Sequence, residues 1–105
     1  MAWTELCKAS DLKDGEGKFV EVAGRQLAVF MSQGKLHVTD DYCPHAGASL
    51  SGGFLENGCL VCSWHYWAFD LVTGKLAPNG RAHVGVYPAR LSPDGTNVEA
   101  DLPDP

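Results

Sequence analysis

The stretch that decides the reading runs from Asp41 to Asp70. It opens Asp41-Tyr42-Cys43-Pro44-His45-Ala46-Gly47-Ala48-Ser49-Leu50 and closes Cys62-Ser63-Trp64-His65-Tyr66-Trp67-Ala68-Phe69-Asp70. Two Cys–His pairs, C-P-H and C-S-W-H, flank a sixteen-residue insert from Ala46 to Val61. Together Cys43, His45, Cys62 and His65 offer two thiolates and two imidazoles, enough to complete a four-ligand metal or cluster site. Pro44 fixes a backbone angle and removes an amide donor, so Cys43 and His45 can face inward together on a stiff turn. Ala46-Gly47-Ala48 then brings no side chain to crowd a bound group.

Three readings of this donor set compete. Structural zinc is one, with Cys₂His₂ ligation; zinc sites favour like ligands in adjacent pairs, whereas each segment here carries one Cys and one His. A catalytic thiol–imidazole pair is the second; it needs no duplicate, and no third orienting group stands out. The third is an iron–sulfur cluster in which two histidines replace two cysteines on one iron.

Outward from this stretch, the chain is 105 residues, one domain of 1–105. A chain of this length buries roughly two thirds of its unfolded surface, enough for one core that a bound metal group would reinforce. Hydrophobic residues make up 45% of it and the mean hydropathy is -0.12, as in ordinary globular proteins. Eight Lys+Arg against thirteen Asp+Glu leave a net charge of -5. That balance argues against nucleic acid or an anionic membrane as the main partner, and it suits docking onto a basic patch. No apolar stretch is long enough to span a bilayer. Met1-Ala2-Trp3-Thr4-Glu5 lacks the pattern of a signal peptide, so the expected compartment is the cytoplasm. In a reducing compartment, cysteines beside histidines read as ligands. Cys7 and Cys59 lack that company, and Cys59, in an apolar run, reads as a small buried hydrophobe.

The flanks read as short strands with Gly, Pro and Asn punctuation. Strands are expected at Trp3–Cys7, Lys18–Val22, Gln26–Met31 (an apolar run suited to burial), Leu36–Thr39, Ala68–Val72 and Thr96–Ala100. Val84–Leu91 alternates around Pro88 and suits an edge. Ala9–Lys13 is the one helical candidate, a short turn that Ser10 would cap. Leu76–Gly80 reads as irregular, Ser92-Pro93-Asp94-Gly95 as a turn, and Asp101–Pro105 as a frayed tail. Three hairpin-linked strands between Lys18 and Thr39 make an antiparallel sheet the economical answer, in an all-β sandwich or barrel.

At the two boxes the sequence resembles the Rieske family. Cys43–Leu50 is similar to the first Rieske box. Cys62–Asp70 is similar to the second, and Leu71-Val72-Thr73-Gly74-Lys75 follows it as in many members. The resemblance covers the middle third closely, and the strand pattern around it agrees, including Val86-Tyr87-Pro88-Ala89-Arg90. It implies the Rieske fold, with a two-loop cluster-binding subdomain at about residues 41–80, and one [2Fe–2S] cluster per chain. By the same resemblance Cys43 and Cys62 hold one iron. His45 and His65 hold the other and form the exit for the electron. Neutral imidazoles leave less negative charge on the cluster than thiolates, which raises its potential above that of all-cysteine clusters.

Departures from the family pattern narrow the subclass. Respiratory members join an extra cysteine from each box in a disulfide; Ala48 and Trp64 stand at those positions. They also place serine and tyrosine hydroxyls against the cluster sulfurs, where this chain has Trp67 and Phe69. Fewer hydrogen bonds to sulfur lower the potential, so the low end of the Rieske range is expected. Tyr66 replaces a glycine common after the second histidine and either shapes a docking surface or packs between loops; Trp64 and Trp67 read as shielding or core. Pro78 stands where a proline loop often covers the cluster. His37 and His83 lie outside both boxes and read as surface or strand residues. No 2-His-1-carboxylate set is recognisable, so the chain is expected to carry an electron and not to be an oxygen-activating enzyme. The resemblance implies a ferredoxin fed by a reductase, a flavoprotein using a nicotinamide cofactor, and feeding an oxygenase. The runner-up is the small subunit of an assimilatory nitrite reductase, and a zinc-stabilised interaction module is the reading from another class. Oxidation of such a cluster favours deprotonation of its imidazoles, which couples the potential to pH.

Overall fold

The structure, a computed structural model, describes residues 2–22, 24–32, 34–42, 49–56, 58–62, 68–71, 74, 76–77 and 84–103. The described residues are built from eleven strands and two 3₁₀ turns, and every strand pairing is antiparallel. The strands are β1 Ala2–Lys8, β2 Gly17–Val22, β3 Arg25–Ser32, β4 Lys35–Asp40, β5 Phe54–Glu56, β6 Cys59–Val61, β7 Ala68–Asp70, β8 Leu76–Ala77, β9 Val86–Tyr87, β10 Ala89–Leu91 and β11 Asn97–Leu102. They form three sheets, ordered β1-β11-β10, β2-β3-β4-β9 and β5-β6-β7-β8. The all-β class expected from the sequence is the one observed.

The apolar run in β3 organises the layers. Leu27, Ala28, Val29 and Phe30 are all fully buried, because the strand is covered on both faces. Side chains alternate across a strand. Leu27 and Val29 therefore enter one core with Val20, Val38, Val98, Ala100 and Leu102. Ala28 and Phe30 enter a second core with Leu50, Leu60, Cys62, Phe69, Leu71 and Val84. The first core joins the β2-β3-β4-β9 sheet to β11; the second joins it to the β5–β8 sheet.

Several local readings change. The first 3₁₀ turn spans Ala9–Asp11, and its N-cap is Lys8 with no side-chain cap bond, so Ser10 lies inside the turn instead of capping it. β8 pairs with β7 through Ala68↔Ala77 and Phe69↔Leu76, where irregular chain was expected at Leu76 and Ala77. The Val84–Leu91 segment is two strands. β9 edges the β4 sheet and β10 edges the β11 sheet, and Pro88 stands between them. Both halves are edges, as a proline requires; the Pro88 carbonyl accepts the Asp101 N–H at 2.9 Å. β11 continues through Leu102, which pairs with Ala2 and is buried, so the tail is not frayed at Asp101–Leu102.

The insert also holds a hairpin that the sequence reading passed over. β5 and β6 pair Glu56↔Cys59 across Asn57-Gly58, with Gly58 at φ 78°. A two-residue Asn-Gly connection favours the left-handed backbone that matches the twist of a hairpin.

Candidate metal centre

Both box segments leave the fold from closed antiparallel pairs. β4 ends at Asp40, and Tyr42 then pairs with Ser49 in an isolated antiparallel bridge. Residues 43–48 form the connection between those two. β6 ends at Val61, which pairs with Ala68 at the start of β7, and residues 62–67 form that connection. The two connections have equal length, and each begins with its cysteine, Cys43 or Cys62. In sequence, His45 follows two residues after its cysteine and His65 three after its own.

A common core roots both. Leu50, one residue past the first bridge, is fully buried, as are Cys62 and Leu60, with Phe69 nearly so. All four belong to the core built on Phe30. Of the four expected ligands, Cys62 is placed at this root; Cys43, His45 and His65 lie outside the described residues. Among the described residues no group of three or more His, Cys, Asp and Glu is gathered for a metal ion. Ala48, Trp64, Tyr66, Trp67, Pro78 and His83 also lie outside them. Phe69, at the position where a tyrosine hydroxyl would reach sulfur, puts its ring into the apolar core instead.

Two consecutive carboxylates fasten the entry to the first box. Asp41 is 5% exposed. Its Oδ2 accepts the Ser49 hydroxyl at 2.6 Å and its Oδ1 accepts the Ser51 N–H at 2.7 Å. Its main chain accepts the Leu50 N–H at 2.6 Å and donates to the Gln26 carbonyl at 3.0 Å. Asp40 binds elsewhere: its Oδ2 accepts the Gly85 N–H at 2.9 Å and its Oδ1 accepts the Tyr87 hydroxyl at 2.6 Å. Burial, reinforced by Asp40, pushes the Tyr87 phenol up to about 12. The segment from 75 to 83 is likewise closed at its base, where the Val84 N–H donates to the Gly74 carbonyl at 2.8 Å.

Asp40, Asp41, Ser49, Ser51 and Tyr87 were given no role in the sequence reading. Asp41 merely marked the edge of the decisive stretch, and only its seat beside Cys43 and the two serines after the box pointed to it. His37 sits on β4, half-buried, where burial and then Lys35 lower its pKa; it is a strand histidine, as expected. Cys7 and Cys59 are free thiols. Cys59 is only partly buried, facing the Glu56 and Asp70 register positions, and is less enclosed than its apolar run suggested.

The donor set fits a cluster better than a lone ion. In sequence each of the two connections carries one Cys and one His, and of these four Cys62 is placed, in the core with Phe30 and Leu50. The ligand set of a [2Fe–2S] centre with two histidines on one iron has that composition.

The comparisons with known proteins agree. Residues 2–88 match the family described as Rieske [2Fe-2S] domain. The chain is 33% identical over 101 residues to the ferredoxin component of the naphthalene 1,2-dioxygenase system of Pseudomonas putida, covering 95% of each. Its fold superposes with TM-score 0.86 on a Mycobacterium tuberculosis protein assigned as an NADH-dependent nitrite reductase small subunit, at 30% identity over 97% of this chain and 96% of that one. It superposes with TM-score 0.78 on a chain of the complex of reduced oxygenase and oxidised ferredoxin in carbazole 1,9a-dioxygenase, at 32% identity over 93% and 92%. The chain belongs to the Rieske [2Fe–2S] domain family. It is an electron-transfer component and not a catalytic oxygenase subunit.

Proposed function

We propose that this protein is the ferredoxin of an oxygenase system, with Cys43 and Cys62 holding one iron and His45 and His65 the other. The observation that carries the reading is the end-to-end match to a dioxygenase ferredoxin component, 95% of both chains. When bound, the cluster supplies a one-electron couple. The protein's own part is to supply the two cysteines and two histidines, to enclose Cys62 among Leu50, Leu60 and Phe69, and to present the histidine side to partners. Residues of about 41–80 form the cluster-binding subdomain; the β5–β8 sheet, within 54–77, is its frame. The donor is a flavoprotein reductase using a nicotinamide cofactor, the acceptor is a terminal oxygenase, and the exchange takes place in the cytoplasm. Among the described residues no helix is long and apolar enough to cross a membrane.

A second reading, the small subunit of a nitrite reductase, is favoured by the fold match at TM-score 0.86. Anaerobic purification decides the class. The chain is expected to be red-brown, with two irons and two sulfides, and to give a Rieske-type EPR signal after dithionite. Cys62→Ser and His65→Ala should each abolish that signal. A colourless protein with one equivalent of zinc overturns the reading. Stopped-flow reoxidation by a terminal oxygenase, set against reoxidation by a nitrite reductase large subunit, separates the two partners. Phe69 offers no O–H to sulfur, so voltammetry should place the potential near the low end of the Rieske range, about -150 mV. A value near the opposite end contradicts this.

A further inference from the structure

We infer that Asp41 is a positioning residue for the cluster: its buried carboxylate ties the entry of the 43–48 connection to its exit and so fixes where Cys43 stands relative to Cys62. The inference rests on the cluster reading above.

Asp41 precedes Cys43 by two residues, and its two oxygens are both spent beyond the connection. The Ser49 hydroxyl reaches Oδ2 at 2.6 Å and the Ser51 N–H reaches Oδ1 at 2.7 Å. Ser49 is also the residue that bridges Tyr42, and its hydroxyl lies 2.8 Å from that of Ser51. The main chain of Asp41 completes the tie, inward to Gln26 next to the buried β3 run and outward to Leu50. Leu50 opens the 3₁₀ turn Leu50–Gly52 and shares a core with Cys62. A continuous path of contacts thus runs from Cys62 through the core to Leu50 and on to Asp41, which in sequence stands two residues before Cys43.

The choice of residue carries the same message. A carboxylate at 5% exposure is costly to desolvate. Both incoming groups are donors, an O–H and an N–H, and two acceptors are needed to meet them. Asparagine offers one acceptor and turns an N–H₂ toward the other donor. Groups behind metal ligands commonly alter metal affinity by about 10–100-fold when replaced.

The test uses the holoprotein of wild type, Asp41→Asn, Asp41→Ala and Ser49→Ala, with Val98→Ala in the other core as a control for general destabilisation. Iron release to a chelator, the EPR line shape and the melting temperature are read for each. Asp41→Asn and Asp41→Ala should release iron about tenfold faster or more and broaden or shift the EPR signal. Ser49→Ala should do the same more weakly. It also stands in for the Asp41 variants if they do not fold. Val98→Ala should lower the melting temperature and leave release and line shape as in wild type. Wild-type release and line shape in the Asp41 variants overturns the inference. So does an equal acceleration in Val98→Ala. If the wild type binds zinc in place of a cluster, the reading of the centre fails by itself. The relative release of zinc by the same variants then decides the role of Asp41.

Discussion

Tyr87 donates its hydroxyl to Asp40 at 2.6 Å and receives the Arg25 guanidinium at 3.4 Å. The same guanidinium lies 5.9 Å from the centre of the Tyr87 ring. Burial first, and then the hydrogen bond and charge of Asp40, disfavour the ionised phenol, so its pKa rises from 10.0 to about 12. A pKa raised by folding means that the fold favours the neutral form. That contribution is complete below pH 10 and is lost as pH climbs through 12. Tyr87→Phe should flatten the fall in stability over that window, and at neutral pH it should cost about 1–2 kcal/mol for the lost charge-assisted bond. Equilibrium urea unfolding at several pH values checks both. His37 acts at the other end of the scale. Its lowered pKa favours the neutral ring, so its contribution is complete above 6.5 and is lost as pH falls through the folded value.

At the scale of the element, the turns decide the register of the strands that carry the boxes. Gly58, at φ 78°, belongs to the turn that sets β5 against β6 and pairs Val61, the residue before Cys62, with Phe54. Gly74 has a different task. It sits at φ 76°, and a Cβ there would run into the Val84 carbonyl that follows the 75–83 segment. Gly74→Ala should therefore destabilise the protein by about 2 kcal/mol or more, through the left-handed backbone and the clash together. A thermal melt within a degree of wild type would contradict this. Pro88 divides β9 from β10, so one alternating stretch feeds two sheets. Alternation and proline were both readable there. The change of sheet was not, because the pattern of a strand says which face is apolar and not which sheet it joins.

For the whole molecule, the two cores separate what the cluster supports from what it does not. The core of Val29, Val38, Val98 and Ala100 contains no proposed ligand and joins β2, β3 and β4 to β11. The core of Phe30, Leu50, Leu60, Cys62 and Phe69 contains a proposed ligand. A group that binds only the folded state stabilises it, and its removal withdraws that support. Stripping the iron should lower the melting temperature. It should also raise hydrogen exchange first in β5–β7, while β2–β4 and β11 keep their protection. Equal loss of protection in β2–β4 would show that the cores do not separate. Both cores share β3, which is why its apolar run is unbroken.

The sequence alone determined the all-β class and the buried centre strand, and it supplied the proposed donor set. Two Cys–His pairs, period-two alternation and a four-residue apolar run are local patterns, and local chemistry suffices to read them. Asn57-Gly58 was equally local and went unread beneath the boxes around it. Only the tertiary structure decided that β3 parts two cores and that Leu76–Ala77 joins a sheet. It alone showed β11 running to Leu102, and Asp41 reaching over the first box to Ser49 and Ser51. Each of these depends on which distant backbone lies opposite, and no residue's own propensity carries that information. The stretch from Asp41 to Asp70 thus offered its proposed ligands in sequence, while the bonds of the Asp41 carboxylate to Ser49 and Ser51 were visible only once the chain had closed around it.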